Sequence, residues 1–181
     1  RESAAELRRR AAVTARTSGR HRDILDLAAG TTDPFLAAEA ACAAARLGDA
    51  AAARSFADLA RSLHVRRLDV DLAACLADPP EARIASFKRA LLAAPASQIA
   101  ATPPPVAAPA DWRPALVAAA IDAEQASDWE RAVALHGAAG DYPSALSAFD
   151  RASRDRAPSS RLRLALGRAA VAADEFTAAR T

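Results

Sequence analysis

The stretch Trp129–Ala152, WERAVALHGAAGDYPSALSAFDRA, constrains this chain more than any other. Apolar and small residues recur at helical spacing on both sides of Gly140-Asp141, a helix stop followed at once by a helix-capping residue. Two short helices joined this tightly lie antiparallel. A weaker copy follows 34 residues later, with Leu166-Gly167, Phe176 aligned to Tyr142 and Ala179 aligned to Ala145. One such hairpin cannot bury its apolar flank alone, so the period demands neighbours stacked side by side.

Hydrophobic residues make up 52% of the 181 residues and aromatic ones only 4%, because alanine dominates. Alanine is the best helix former and loses no side-chain entropy on burial, but it hides little area. Such a chain forms helices readily, packs them closely and depends on sparse large side chains for specificity. No sustained alternation of β-branched residues occurs, so the expected fold is all-α without strands.

Punctuation predicts about eleven helices. Ser3 and Glu6 have the spacing of a capping box for a first helix to Ala15. A second ends near Ala29 at Gly30. Thr32 or Asp33, with Pro34, starts a third that runs to Gly48. Asp49 caps a fourth carrying Phe56, Leu59 and Leu63. A fifth covers Arg66–Leu76, and a sixth follows Asp78-Pro79-Pro80 to Ala93 with Ile84, Phe87, Leu91 and Leu92 as its core stripe. Residues 95–110 carry five prolines and no charge and read as an extended linker or hinge. It separates degenerate hairpins (1–94) from a second block (111–181) whose clearest unit is 126–159, with the next, 160–181, cut short. Asp111 should cap a seventh helix to Ala126, Ser127 or Asp128 an eighth from Trp129, and Asp141 a ninth. A tenth covers Arg161–Ala172 after Pro158-Ser159-Ser160, and Asp174 opens an eleventh.

Trp129 through Pro158 resembles a tetratricopeptide repeat. Trp129 opens the unit, Gly140 and Tyr142 stand at the turn, and Ala145, Phe149 and Ala152 follow at the family spacing. Ala132-Val133 replaces the usual Leu-Gly, and His136 replaces the usual Tyr. In the next unit Leu166-Gly167, Phe176 and Ala179 fit, while Arg163 stands at the Trp position. Upstream, Gly48-Asp49 with Ala53, Ala57 and Ala60, and Phe87, Ala90-Leu91 with Pro95, look like degenerate units. The resemblance implies an α-solenoid, a superhelix of antiparallel helix pairs, with Ala145 and Ala152 allowing close approach and Trp129, Leu135, Tyr142, Leu146 and Phe149 filling the space between. An unrelated helical bundle rich in alanine is the competing architecture.

The same resemblance implies a non-catalytic scaffold that binds a protein or peptide segment in its concave groove. The groove would be lined by Glu39, Cys42 and Arg46, by Asp69 and Leu72, by Glu130, Arg131 and Ala134, and by Arg161 and Arg168. A known family mode clamps a terminal carboxylate with lysine and asparagine; this chain has no asparagine and a single lysine, Lys88, which excludes it. Chains of this flavour serve bacterial envelope, pilus or polysaccharide-export assembly, in the periplasm or cytoplasm. Rival readings are the helical accessory region of a larger enzyme or secretion protein, and a self-association module.

Charge and chemistry narrow the partner. The net charge is +2, but residues 1–22 carry seven arginines against Glu2 and Glu6, and residues 151–181 seven against Asp155, Asp174 and Glu175. Solvated faces are the plain reading, and an acidic partner is the sharper one. Arg161 and Arg168, two turns apart, suit an acidic peptide. No aromatic residues interleave with the arginines, which argues against nucleic acid. No apolar run is long enough to span a membrane. His21, His64 and His136 lack the i, i+4 partner of a helical metal site. No phosphate loop, dinucleotide glycine pattern or nucleophile elbow occurs, so neither cofactor nor catalysis is expected. Cys42 and Cys75 read as buried thiols. The ends, inside helical patterns and without an initial Met, read as those of a piece of a longer protein.

Overall fold

The computed structural model describes residues 3–102, 109–154 and 157–173. All regular structure among them is α-helical: α1 (Ala4–Thr17), α2 (His21–Ala28), α3 (Pro34–Arg46), α4 (Ala50–Ser62), α5 (Leu68–Cys75), α6 (Pro80–Ala93), α7 (Ala96–Ile99), α8 (Pro109–Gln125), α9 (Trp129–Ala138), α10 (Tyr142–Ser153) and α11 (Ser160–Ala172). The all-α class is as the sequence predicts. The membership of the eleven differs, since α7 was not expected and the helix from Asp174, with Phe176 and Ala179, lies outside the described residues. Two compact units divide the chain, one ending at Arg83 and one comprising residues 84–102 and 110–173. The break falls inside α6.

Local chemistry explains the helix ends. The Ser3 N–H donates to Glu6 Oε2 at 2.7 Å and the Glu6 N–H to Ser3 Oγ at 3.2 Å, closing the capping box. Asp33, not Thr32, caps α3, accepting from the Phe35 N–H at 2.9 Å. Three connectors share one design: Gly48-Asp49, Ser127-Asp128 and Gly140-Asp141. The first residue of each is left-handed, with φ of 77°, 57° and 73°. The following N–H reaches back to the carbonyls of Ala44, Ala123 and His136 at 2.9–3.0 Å, the Schellman closure. The Asp carboxylate then accepts from the N–H of Ala52, Arg131 or Ser144 at 3.0–3.3 Å. Two residues thus end one helix and start the next. Glycine adopts the left-handed shape at no steric cost at Gly140, whereas Ser127 bears about 1–2 kcal/mol of strain there.

Three expectations need correction. The proline-rich stretch is not extended throughout: Pro95 stands at the N-cap of α7, and Ile99 is buried among its neighbours, which gives the segment an apolar reason to fold back. Pro103-Pro104-Pro105 lies outside the described residues. Asp111 does not cap α8, because Pro109 already supplies a first helical position; Asp111 sits in the first turn, where the helix dipole favours an anion. The fifth helix starts only at Leu68, since Arg67 is held extended at φ −131° and ψ 129°.

In the N-terminal unit, α1 packs with α2 and α3, and α3 packs with α2, α4 and α5. Its central seam is built from nine alanines, Ala37, Ala38, Ala41, Ala44, Ala53, Ala57, Ala60, Ala73 and Ala74, together with Val70. Ala53, Ala57 and Ala60 fall on one face of α4 by their i, i+4, i+7 spacing, and small residues there let the helices approach closely.

The C-terminal unit is built differently. Phe87 of α6 is fully buried and meets Trp112 of α8 edge to face, with ring centroids 6.1 Å apart and planes at 86°. Burying a Phe contributes about 1.5–3 kcal/mol. Lys88 Nζ lies 2.6 Å from Asp122 Oδ2 on the same helix pair. Helix α9 packs against α7, α10 and α11, and Ala132 to Gly137 are all buried. At Gly137 an added Cβ would stand 2.6 Å from the Ala169 Cβ, so α9 and α11 meet almost backbone to backbone. That seam is a close approach the repeat pattern did not single out. Leu135, Ala145 and Ala148 are buried, Trp129, Tyr142, Phe149, Ala152, Leu166 and Gly167 are half-buried, and Leu146 is exposed. Ala145 and Ala148 give α10 its inward face; Leu146, about 100° round the helix, turns away from it.

Candidate functional site

The C-terminal unit holds a cleft of about 610 Å³ between α7, α9 and α11. Pro95, Ala96, Ser97 and Ala100 line it from the α7 side, Asp128, Glu130, Arg131 and Ala134 from α9, and Arg161, Leu164, Ala165 and Arg168 from α11. All four groove residues expected from this block, Glu130, Arg131, Arg161 and Arg168, therefore share one cavity, as does Ala134.

The four do not play equal parts. Arg131 is fixed: one guanidinium nitrogen pairs with Asp128 in the preceding turn, and Nη2 donates to the carbonyl of Ala94 at 3.2 Å. It staples the start of α9 to the end of α6, and its Nε is buried without an acceptor among the described residues. Arg161 and Arg168 are exposed, and among the described residues neither meets a carboxylate. Glu130 stays half-buried on the opposite wall. The lining thus holds three guanidinium groups against two carboxylates, with one pair already closed.

Two of the groove residues expected in the N-terminal unit, Glu39 and Asp69, belong to an ion network with Arg16 and Arg67. Glu39 is buried. Its carboxylate accepts from Arg67 Nη1 at 2.9 Å and lies 3.3 Å from Arg16 Nη1. Arg67 also grips Asp69 bidentately at 3.1 and 2.6 Å. Burial alone would raise the Asp69 carboxyl, but the Arg67 hydrogen bonds and charge outweigh it and hold it below the ordinary carboxylate range. The Cys42 thiol donates to Asp69 Oδ2 at 3.5 Å; burial, then the Asp69 charge, push it far above its usual value. Leu72 is buried. Arg46 is exposed, and its charge, after burial, keeps the His21 imidazole below its ordinary value.

No family model, curated protein or solved structure matches this chain. Its chemistry must be read from its own side chains. The described residues hold no cluster of His, Cys, Asp and Glu fit for a metal ion, and no described helix is long and apolar enough to cross a membrane. His136 is buried, with Nε2 2.8 Å from Glu124 Oε1, while Glu124 Oε2 accepts from Arg151 at 3.0 Å. The trio ties α8, α9 and α10 together. Cys75 is buried, and burial followed by Asp78 raises its thiol to about 11.

Sequence reasoning missed two contributors. The α7 wall was hidden inside a proline-rich stretch, where the lone Ile99 in an otherwise small-residue run was the available signal. The Gly137–Ala169 contact, which sets how close α11 comes to α9, was readable only as a glycine inside a helical pattern.

Proposed function

We propose that this chain is a non-catalytic recognition module of tetratricopeptide type, whose α7–α9–α11 cleft takes an acidic segment of a partner protein. One observation carries the reading: Arg161 and Arg168 line the cleft with no carboxylate to answer them among the described residues. Several arginines elsewhere are answered. Arg9 meets Asp33 at 2.7 Å, Arg61 meets Asp58 at 2.8 Å and Asp71 at 2.9 Å, Arg67 meets Glu39 and Asp69, and Arg151 meets Glu124. Exposed guanidinium groups over a partly apolar floor suit carboxylates, which they bind in a planar fork. Helix α11 stacked on α9 beside the α9–α10 hairpin has the neighbour relation that a helical repeat requires. The test is selection of displayed random 12-residue peptides on the protein, with the R161E/R168E variant as counter-target. Acidic sequences lost on the variant are expected; selected sequences that bind the variant equally would contradict the reading.

A further inference from the structure

Resting on that reading, we infer that the occupant of the cleft is an extended internal segment carrying two carboxylate side chains at positions i and i+3, with small or apolar residues at the two positions between them. Arg161 and Arg168 are separated by seven residues of α11. Seven residues turn the helix 20° short of two full turns and advance it about 10.5 Å, so both guanidinium groups rise from one face at that spacing. A polyproline-like chain returns to the same side every three residues after about 9.3 Å, which matches within the reach of two long side chains. A β-strand presents same-side positions at about 6.7 or 13.4 Å, and neighbouring residues only about 3.3 Å apart. A helical ligand with acids seven apart would match the spacing as well, and the stapled peptide in the experiment below stands for it. Leu164 and Ala165 lie between the two arginines along α11 and give the two intervening residues an apolar seat. Glu130 opposite opposes a third carboxylate and accepts a donor from the ligand, a backbone N–H or a lysine.

The experiment uses labelled nine-residue peptides, acetylated and amidated so that no terminal charge contributes, titrated by fluorescence anisotropy in low and high salt. Two Glu sit in an Ala/Ser background at spacings of one, three or six, beside a Gln control and a helix-stapled peptide with spacing seven. An exposed ion pair is worth about 0.2–1 kcal/mol. The spacing-three peptide should therefore bind about three- to fivefold tighter than spacing one, lose about tenfold on R161E/R168E and more modestly on R161Q/R168Q, and weaken with salt. Glu130→Gln should raise its affinity about twofold. Equal affinity at every spacing, still lost on R161E/R168E, would overturn the spacing and leave the acidic cleft standing. So would preference for the stapled helix. Affinity indifferent to R161E/R168E, or no binding by any peptide, would overturn both.

Discussion

The two units differ in what holds their helices together. In the N-terminal unit Arg16 and Arg67 turn onto Glu39 and Asp69 and link α1, α3 and α5 through charge. In the C-terminal unit an aromatic pair and a glycine–alanine contact act beside Arg131 and Arg151 in fixing the helices, and Arg161 and Arg168 meet no carboxylate among the described residues. The contrast follows from the cores. A seam of alanines buries little area per residue, and partly buried ion pairs on Glu39 and Asp69 tie the helices across it. Where Phe87 and Trp112 give shape, surface charge is available for a partner.

The largest effects should mark this division. Phe87→Ala should lose about 3–5 kcal/mol in urea unfolding. Arg67→Ala should lose a similar amount, about 3–5 kcal/mol, because it leaves the buried Glu39 with only Arg16 at 3.3 Å. Arg168→Ala should stay within about 0.5 kcal/mol of the parent. Equal small losses at Arg67 and Arg168 would erase the distinction. Next, Gly137→Ala should lose about 1–3 kcal/mol through overpacking against Ala169, and adding Ala169→Gly should recover part of it. Full tolerance of the single change would deny the tight α9–α11 seam.

Acid should weaken the N-terminal unit through identifiable groups. The native His21 imidazole sits below its ordinary value, because burial and then Arg46 oppose its charging; its contribution is present above about pH 6.5 and fades as pH falls through the lowered value. Asp69 and Asp33 are both held below the ordinary carboxylate value, the arginine bonds to each overcoming the effect of burial. Their contribution is present above about pH 3.9 and is lost on further acidification. Melting followed from pH 8 to 3 should show Arg67→Ala reducing the lower step to the part that Asp33 and Arg9 supply. Smallest of all, Cys42 and Cys75 should resist a thiol reagent at pH 8 in the native protein and react once unfolded. Both folded thiols are raised, so their contribution holds below about pH 8.5 and fades as pH climbs, for Cys75 through about 11.

Helix identity and most helix ends were readable from Ser3, Asp33, Asp49, Asp141 and the glycines, because capping is a local matter. The cleft was partly readable: Glu130, Arg131, Arg161 and Arg168, which the tetratricopeptide resemblance grouped, all line it. Glu39 and Asp69 looked equivalent to them, yet they are paired inward. What separates the groups is the extended turn at Arg67, a backbone detail that places one guanidinium between two acids 30 residues apart in sequence. Periodicity carries no trace of it. Ile99 and Gly137 likewise act through contacts distant along the chain.

The most direct measurement is a map of where an acidic peptide touches the labelled protein, by amide chemical-shift changes during titration. The account predicts changes concentrated in Ala96–Ala100, Glu130–Ala134 and Arg161–Arg168, with Glu39, Arg67 and Asp69 silent. Changes centred on the Glu39–Asp69 network, with α11 silent, would contradict it.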